Sequence, residues 1–120
     1  MSNTSNNVLD PVYFRQNESK ALDRKLLIDG VAKDLTGWSI ELYINFKKLK
    51  TITEVTNGAT EGLIKDQVIT PGEFYFTILE TDIADLTPGK YPAYIRFLDS
   101  ATVPPNVFSN VTFDFIVLKA

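Results

Sequence analysis

The 120-residue sequence contains no cysteine and no histidine. Without a thiol there is no disulfide and no thiolate nucleophile, and without an imidazole there is no Ser-His-Asp or Cys-His arrangement. Almost every zinc site is excluded as well, because zinc is held chiefly by those two side chains. The redox compartment stays open, since a cysteine-free chain suits the cytosol and the exterior alike. Glycine is scarce: the six glycines stand singly, so no Gly-rich loop is available to cradle a phosphate. No run approaches the roughly 18 apolar residues of a membrane-spanning helix. Met1 to Asn7 are polar where a signal peptide would be apolar. The expectation is a chain made in a cytoplasm, without leader or membrane anchor.

Basic charge is thin in the second half. Residues 15 to 50 hold eight Lys/Arg against five Asp/Glu, residues 51 to 118 hold three against nine, and the net charge is −3. A polyanion needs a concentrated basic face, so nucleic acid is not an expected partner. The one dense basic run, Lys47, Lys48 and Lys50, falls where a strand should be ending. It reads as a solvated loop rather than a phosphate-binding patch.

What is present is an ordinary globular composition, 44% hydrophobic and 22% charged, of a length that fits one core. Apolar and polar residues alternate with period two, the signature of strands with one buried face. Trp38 to Phe46 shows it best, with Trp38, Ile40, Leu42, Ile44 and Phe46 on one face and Ser39, Glu41, Tyr43 and Asn45 on the other. Phe74 to Leu79, Tyr91 to Leu98 and Val107 to Leu118 repeat the pattern. In the last, Val111, Phe113, Phe115 and Val117 line one side, Thr112 and Asp114 mark the other as wet, and Ile116 and Leu118 suggest a covering neighbour. Shorter candidates are Val12 to Gln16, Arg24 to Asp29, Leu49 to Val55 and Leu63 to Ile69.

Turn signals separate these runs at intervals of about ten residues: Asp29-Gly30, Leu35-Thr36-Gly37, Asn57-Gly58, Pro71-Gly72 and Pro88-Gly89. Seven or eight short strands at that spacing predict an all-β, immunoglobulin-like antiparallel sandwich. Residues 1–10, rich in Ser, Asn and Thr, read as a flexible arm, and residues 11–120 as the single sandwich domain. One helical turn fits Thr81 to Leu86, with Thr81 as cap and Asp82 and Asp85 near its positive end.

Leu86-Thr87-Pro88-Gly89-Lys90-Tyr91 carries the most diagnostic short pattern. Leu86, a Pro88-Gly89 turn and Tyr91 opening an alternating strand match the tyrosine corner of Greek-key sandwiches, in which the hydroxyl bonds back to an upstream carbonyl. Its role is structural. Trp38, the only tryptophan, could stack on a sugar, but its phase matches Ile40 and Leu42 and places it in the core.

The acids Glu54, Glu61, Asp66, Glu73 and Glu80 include no pair that the sequence brings together across a glycosidic bond. Asp82 and Asp85 are too few for a calcium loop and serve better at a helix start. Asn3-Thr4-Ser5 and Asn110-Val111-Thr112 match the glycosylation pattern, coincidentally in a chain without a secretory signal. No catalytic residue, metal ligand or cofactor is expected.

Several features occur in a recognisable order: the Lys25-to-Gly30 hairpin segment, Asp34-Leu35-Thr36-Gly37 leading into a long strand, Pro71-Gly72-Glu73-Phe74, and the Leu86 to Tyr91 corner. Over about residues 24 to 118 the chain resembles the immunoglobulin-like domains of phage structural proteins. It is similar in particular to the N-terminal domain of upper baseplate proteins and related tail or fibre components. The resemblance implies a virion structural subunit, in baseplate, tail, fibre base or head decoration, that acts by protein–protein assembly with other virion proteins and copies of itself. Members of that group commonly carry a long C-terminal extension, and ending at Lys119-Ala120 suggests a stand-alone adaptor, fibre-base or decoration subunit.

Candidate partner-binding residues are Val8, Leu9, Val12, Tyr13 and Phe14, an apolar cluster directly after the arm, together with exposed strand edges. The plainer reading makes Val12 to Gln16 the first strand. The alternative function is a carbohydrate-binding module for host adhesion, in which Tyr43, Tyr75 and Tyr94, opposite the presumed core face, stack on a glycan. A small hydrolase is the least favoured reading.

Overall fold

The most cleanly alternating segments form the body of the fold. In the computed structural model, which describes residues 7–8, 10–99 and 106–120, the strands in chain order are β1 (Asn7–Val8), β2 (Val12–Arg15), β3 (Lys20–Lys25), β4 (Leu27–Ile28), β5 (Val31–Ala32), β6 (Ser39–Ile44), β7 (Lys47–Ile52), β8 (Gly62–Ile64), β9 (Glu73–Ile78), β10 (Gly89–Asp99) and β11 (Asn106–Leu118). One sheet runs β1-β11-β10-β6-β7, with β2 also on β11; the second runs β3-β9-β8, and β4-β5 form a separate hairpin.

The two larger sheets enclose the core of an all-β sandwich. Ile40, Leu42 and Ile44 of β6, Ala93, Ile95 and Phe97 of β10, and Val111, Phe113, Phe115 and Val117 of β11 are buried against Leu22 of β3, Ile64 of β8 and Phe74, Phe76 and Ile78 of β9. Phe74 meets Phe97 edge to face across the layers at 5.5 Å, the geometry that aromatic quadrupoles prefer. Leu35, Trp38 and Ile83 close the core from connecting segments. The helical turn is shorter and tighter than expected, a 3-10 turn over Glu80–Ile83 whose Ile83 is fully buried.

Three differences from the sequence-based expectation have physical causes. First, the sandwich is not wholly antiparallel. β1 and β2 both run parallel to β11, pairing Asn7 with Val111, Val8 with Thr112, and Val12 through Arg15 with Phe115 through Leu118. Asn7 and Val8, within the stretch that reads as an arm, are thus in the sheet. Parallel pairing gives no hairpin turn signal to read. β2 extends the sheet beside Ile116 and Leu118, pairing them with Tyr13 and Arg15, and does not lie over their outer face.

Second, the strand expected to continue through Phe46 stops at Ile44. Asn45 and Phe46 have φ of +54° and +64°, and Ile44 pairs with Lys47, so these two residues form a primed hairpin turn and Phe46 is 80% exposed instead of facing the core. Third, the Lys47–Lys50 run is strand, not loop. The β6–β7 register shifts between Leu42 and Tyr43, leaving Leu49 as an extra residue, so that Lys48 lies opposite Tyr43 and Lys50 opposite buried Leu42. The bulge turns Lys48 outward and Lys50 inward, where it is 5% exposed.

Candidate functional site

The residues expected to bind a partner separate into different environments. Val12 (7% exposed) and Phe14 (0%) are core residues, with Phe14 stacked on Phe115 at 5.1 Å. Reading them as an unpartnered apolar surface is therefore corrected: β2 is the first long strand, and its alternate side chains point into the sandwich. Tyr13, between them, is exposed. Val8 lies in β1, and Leu9 lies outside the described residues.

The outer edge of β2 is not an open template either. The Lys20 ammonium donates to the Tyr13 carbonyl at 2.9 Å, the Arg15 N–H donates to Glu18 Oε1 at 3.0 Å, and the Glu18 N–H donates to the Arg15 carbonyl at 3.1 Å. Glu18, through its side chain and amide, and the Lys20 side chain at the start of β3 thus occupy backbone groups that an added strand would need. The Arg15 amide, followed by the charge of Lys20, holds the Glu18 carboxyl below the usual glutamate range.

Two of the three candidate glycan-stacking tyrosines meet. Tyr43 and Tyr94 are cross-strand partners on the outer face of the larger sheet, stacked at 4.6 Å with ring planes 11° apart. Tyr43 donates to Glu41 Oε1 at 3.1 Å, and the same carboxylate lies 3.4 Å from both Arg96 and Lys48. Tyr75 lies on β9 in the other sheet, so the three do not form one platform. One face of each of the paired rings is covered by the other.

The Leu86–Tyr91 segment leads from the 3-10 turn into β10. The Tyr91 hydroxyl donates to the Thr87 carbonyl at 2.7 Å, while its half-buried ring packs on the core. Pro88 and Gly89 sit exposed between them, and Leu86 packs partly against the core.

Sequence reasoning missed three features. One is the buried cation Lys50, 2.8 Å from Asp82 Oδ2 and also donating to the Thr60 carbonyl. Asp82 Oδ2 in turn accepts the Leu79 N–H at 2.8 Å, so one carboxylate ties β7 to the 3-10 turn. The only available signal was the register of the bulge, which a single sequence does not display.

The second is an aliphatic end. Val68 and Ile69 of the loop before β9 are 92% and 76% exposed, whereas Leu27 and Val31 of the β4–β5 hairpin, 47% and 68% exposed, pair with Ala32 and Ile28 and so point to opposite faces of it. The loop is anchored by buried Gln67, whose Oε1 accepts the Leu35 and Gly72 amides at 2.9 and 2.8 Å while Nε2 donates to the Lys65 carbonyl. Leu26 N–H to the Gly72 carbonyl, at 2.9 Å, adds a backbone tie. The sequence pattern predicts strand through Val68-Ile69; the bonds of Asp66 to Val68 and Thr70 turn the chain there instead.

The third is the Asn45-Phe46 tip and a cleft beside it. The cleft holds about 370 Å³ out to its solvent mouth, with Ile44, Leu49, Ile83 and Leu86 as its apolar lining and Lys47, Asp82 and Asp85 as its charges. The Asn45 N–H anchors the tip on the Pro92 carbonyl at 2.8 Å.

Among the described residues no group of three acidic side chains is placed to hold a metal ion, and no helix is long and apolar enough to cross a membrane. The exposed apolar side chains include Val68, Ile69 and Phe46. No curated protein matches the chain. The model of the BppU N-terminal domain family, the N-terminal domain of the phage baseplate upper protein, matches residues 1–120, the whole chain, which therefore belongs to that family.

Proposed function

We propose that this domain is a structural subunit of the phage baseplate that does no chemistry of its own and acts by protein–protein assembly, its principal contact being the aliphatic end. The observation that carries this reading is the exposure of Val68 (92%) and Ile69 (76%) on a loop anchored by buried Gln67. Water contact at apolar surface costs about 25 cal/mol per Å², so a partner covering these side chains gains affinity from each. The Gln67 bonds hold this loop in place before binding, which reduces the ordering cost of association. Family membership agrees with this reading, since a baseplate protein is surrounded by other virion proteins.

The test is incorporation into particles. Purified virions should contain the chain in the baseplate, and a phage carrying Val68→Lys with Ile69→Lys should lose it from particles while the isolated variant unfolds at the wild-type temperature. Absence of the wild-type chain from virions would sink the baseplate reading, and normal incorporation of the double variant would sink the role of the aliphatic end. The alternative, a carbohydrate-binding module, draws on the Tyr43–Tyr94 stack and its Glu41 carboxylate. A glycan array that retains wild type but not Tyr94→Ala would favour it.

A further inference from the structure

We infer that the β6–β7 tip and the adjoining cleft form one self-complementary surface, occupied by the same surface of a second copy of this chain. This rests on the assembly reading and adds a partner and a geometry to it. The first observation is the strain at the tip. A primed two-residue turn favours glycine where φ is positive, yet its second position holds Phe46 at φ +64° with 80% of its surface in water. A bulky side chain in that conformation is a genuine outlier, and one that gains no burial does nothing for the isolated fold. It is an aromatic anchor presented outward, of the kind that dominates interface energetics.

The second observation is where an anchor of that shape could go. Ile44, Lys47 and Leu49, the residues that bracket Phe46, also line the cleft, so knob and socket lie side by side on one hairpin. The cleft opens to solvent, and its apolar lining of Ile44, Leu49, Ile83 and Leu86 suits the edge of an aromatic ring. Side-by-side knob and socket are what an isologous contact requires: about a two-fold axis each Phe46 enters the other copy's cleft, both are used, and the pair closes.

The third observation is charge. Lys47 and Asp85 both line the cleft, and neither has an ion-pair partner among the described residues. Lys48 and Asp82, by contrast, are engaged by Glu41 and Lys50. The two-fold arrangement sets Lys47 of each copy against Asp85 of the other, satisfying both charges twice. The contact is small, and its affinity for free subunits is correspondingly weak; within a particle, high local concentration would strengthen it.

Sedimentation velocity of the 120-residue chain, from about 10 μM to about 1 mM, is the experiment, a range suited to weak association. Wild type should shift from monomer to dimer. Phe46→Gly should stay monomeric throughout with an unfolding temperature no lower than wild type, because glycine accepts the positive φ freely. Lys47→Asp and Asp85→Lys should each weaken the dimer about tenfold and restore it when combined. A wild type that remains monomeric at the top concentration, or a Phe46→Gly variant that dimerises like wild type, overturns the proposal. So does a monomeric wild type whose Phe46→Gly variant alone fails to enter particles, since the tip's partner would then be a different virion protein. The two readings fail separately: a chain present in virions but monomeric removes this inference alone, whereas a dimer absent from virions removes the assembly reading.

Discussion

Lys50 Nζ lies 2.8 Å from Asp82 Oδ2, with the lysine side chain 4% exposed and the aspartate 21%. The pair is the point at which the larger sheet grips the 3-10 turn, because Asp82 also receives the Leu79 amide. Removing one partner of a buried pair strands the other charge. Asp82→Ala should therefore cost about 3 kcal/mol, at the lower end for such losses because the aspartate side reaches solvent. Lys50→Met, which keeps the length and removes the charge, should cost less. Urea unfolding of both variants checks the order, and equal costs would contradict it.

Gln67→Ala should be among the most damaging polar substitutions. It leaves the Leu35 and Gly72 amides without their acceptor, at about 1–3 kcal/mol for each buried group. Hydrogen exchange at those two amides should accelerate more than in the β10–β11 ladder, which the substitution does not touch. The exposed Val68-Ile69 loop should become protease-sensitive at the same time.

Two glycines with positive φ should respond differently to alanine. At Gly62, φ +113°, a Cβ would collide with the Tyr75 carbonyl oxygen and come within 2.7 Å of Phe76 Cα, at the start of the β8–β9 pairing. At Gly30, φ +81°, it would meet nothing within 4 Å. Gly30→Ala should cost about 1 kcal/mol of backbone strain alone. Gly62→Ala should cost several times that, and comparison of the two thermal midpoints decides.

Acid should release the edge of β2. Glu18 is held below its ordinary value by the Arg15 amide first and by Lys20 after it, so the fold favours the ionised carboxylate. A depressed carboxylate contributes stability that is fully present above its unfolded value and is lost as pH falls through its folded value. The difference in thermal midpoint between wild type and Glu18→Gln should be constant near neutrality and shrink on acidification through the glutamate range. Asp34, held low by the Thr36 hydroxyl and amide, should behave in the same way with Asp34→Asn. A difference that does not change with pH would show that the Arg15 bond is not charge-dependent.

The alternation from Ser39 to Ile44, Glu73 to Ile78 and along β10 and β11 was readable because each of these strands buries one face only. The upstream bond expected of Tyr91 was readable because the corner is local, spanning Thr87 to Tyr91. What could not be read is long-range or phase-breaking. β3, Lys-Ala-Leu-Asp-Arg-Lys, buries only Leu22 and shows no alternation, so its pairing with β9 has no sequence signature. The single bulged residue Leu49 reverses which lysine faces the core. Phe46 continued the apolar phase of β6, and nothing in Asn45-Phe46 announces a turn as Asn-Gly would have done. The candidate docking features were hidden for that reason, since an exposed phenylalanine and a core phenylalanine look alike until the strand is known to end.

The parallel course of β1 and β2 beside β11 determines how the domain bears mechanical load. Tension applied between Asn7 and Leu118 draws the two strand segments and β11 past each other along their length, so the inter-strand bonds are loaded together in shear. In a hairpin pulled open from its free ends the bonds would instead break in succession. The side-by-side outer segments thus act as a clasp between the beginning and the end of the fold, and single-molecule stretching along that axis should rupture it in one event at high force.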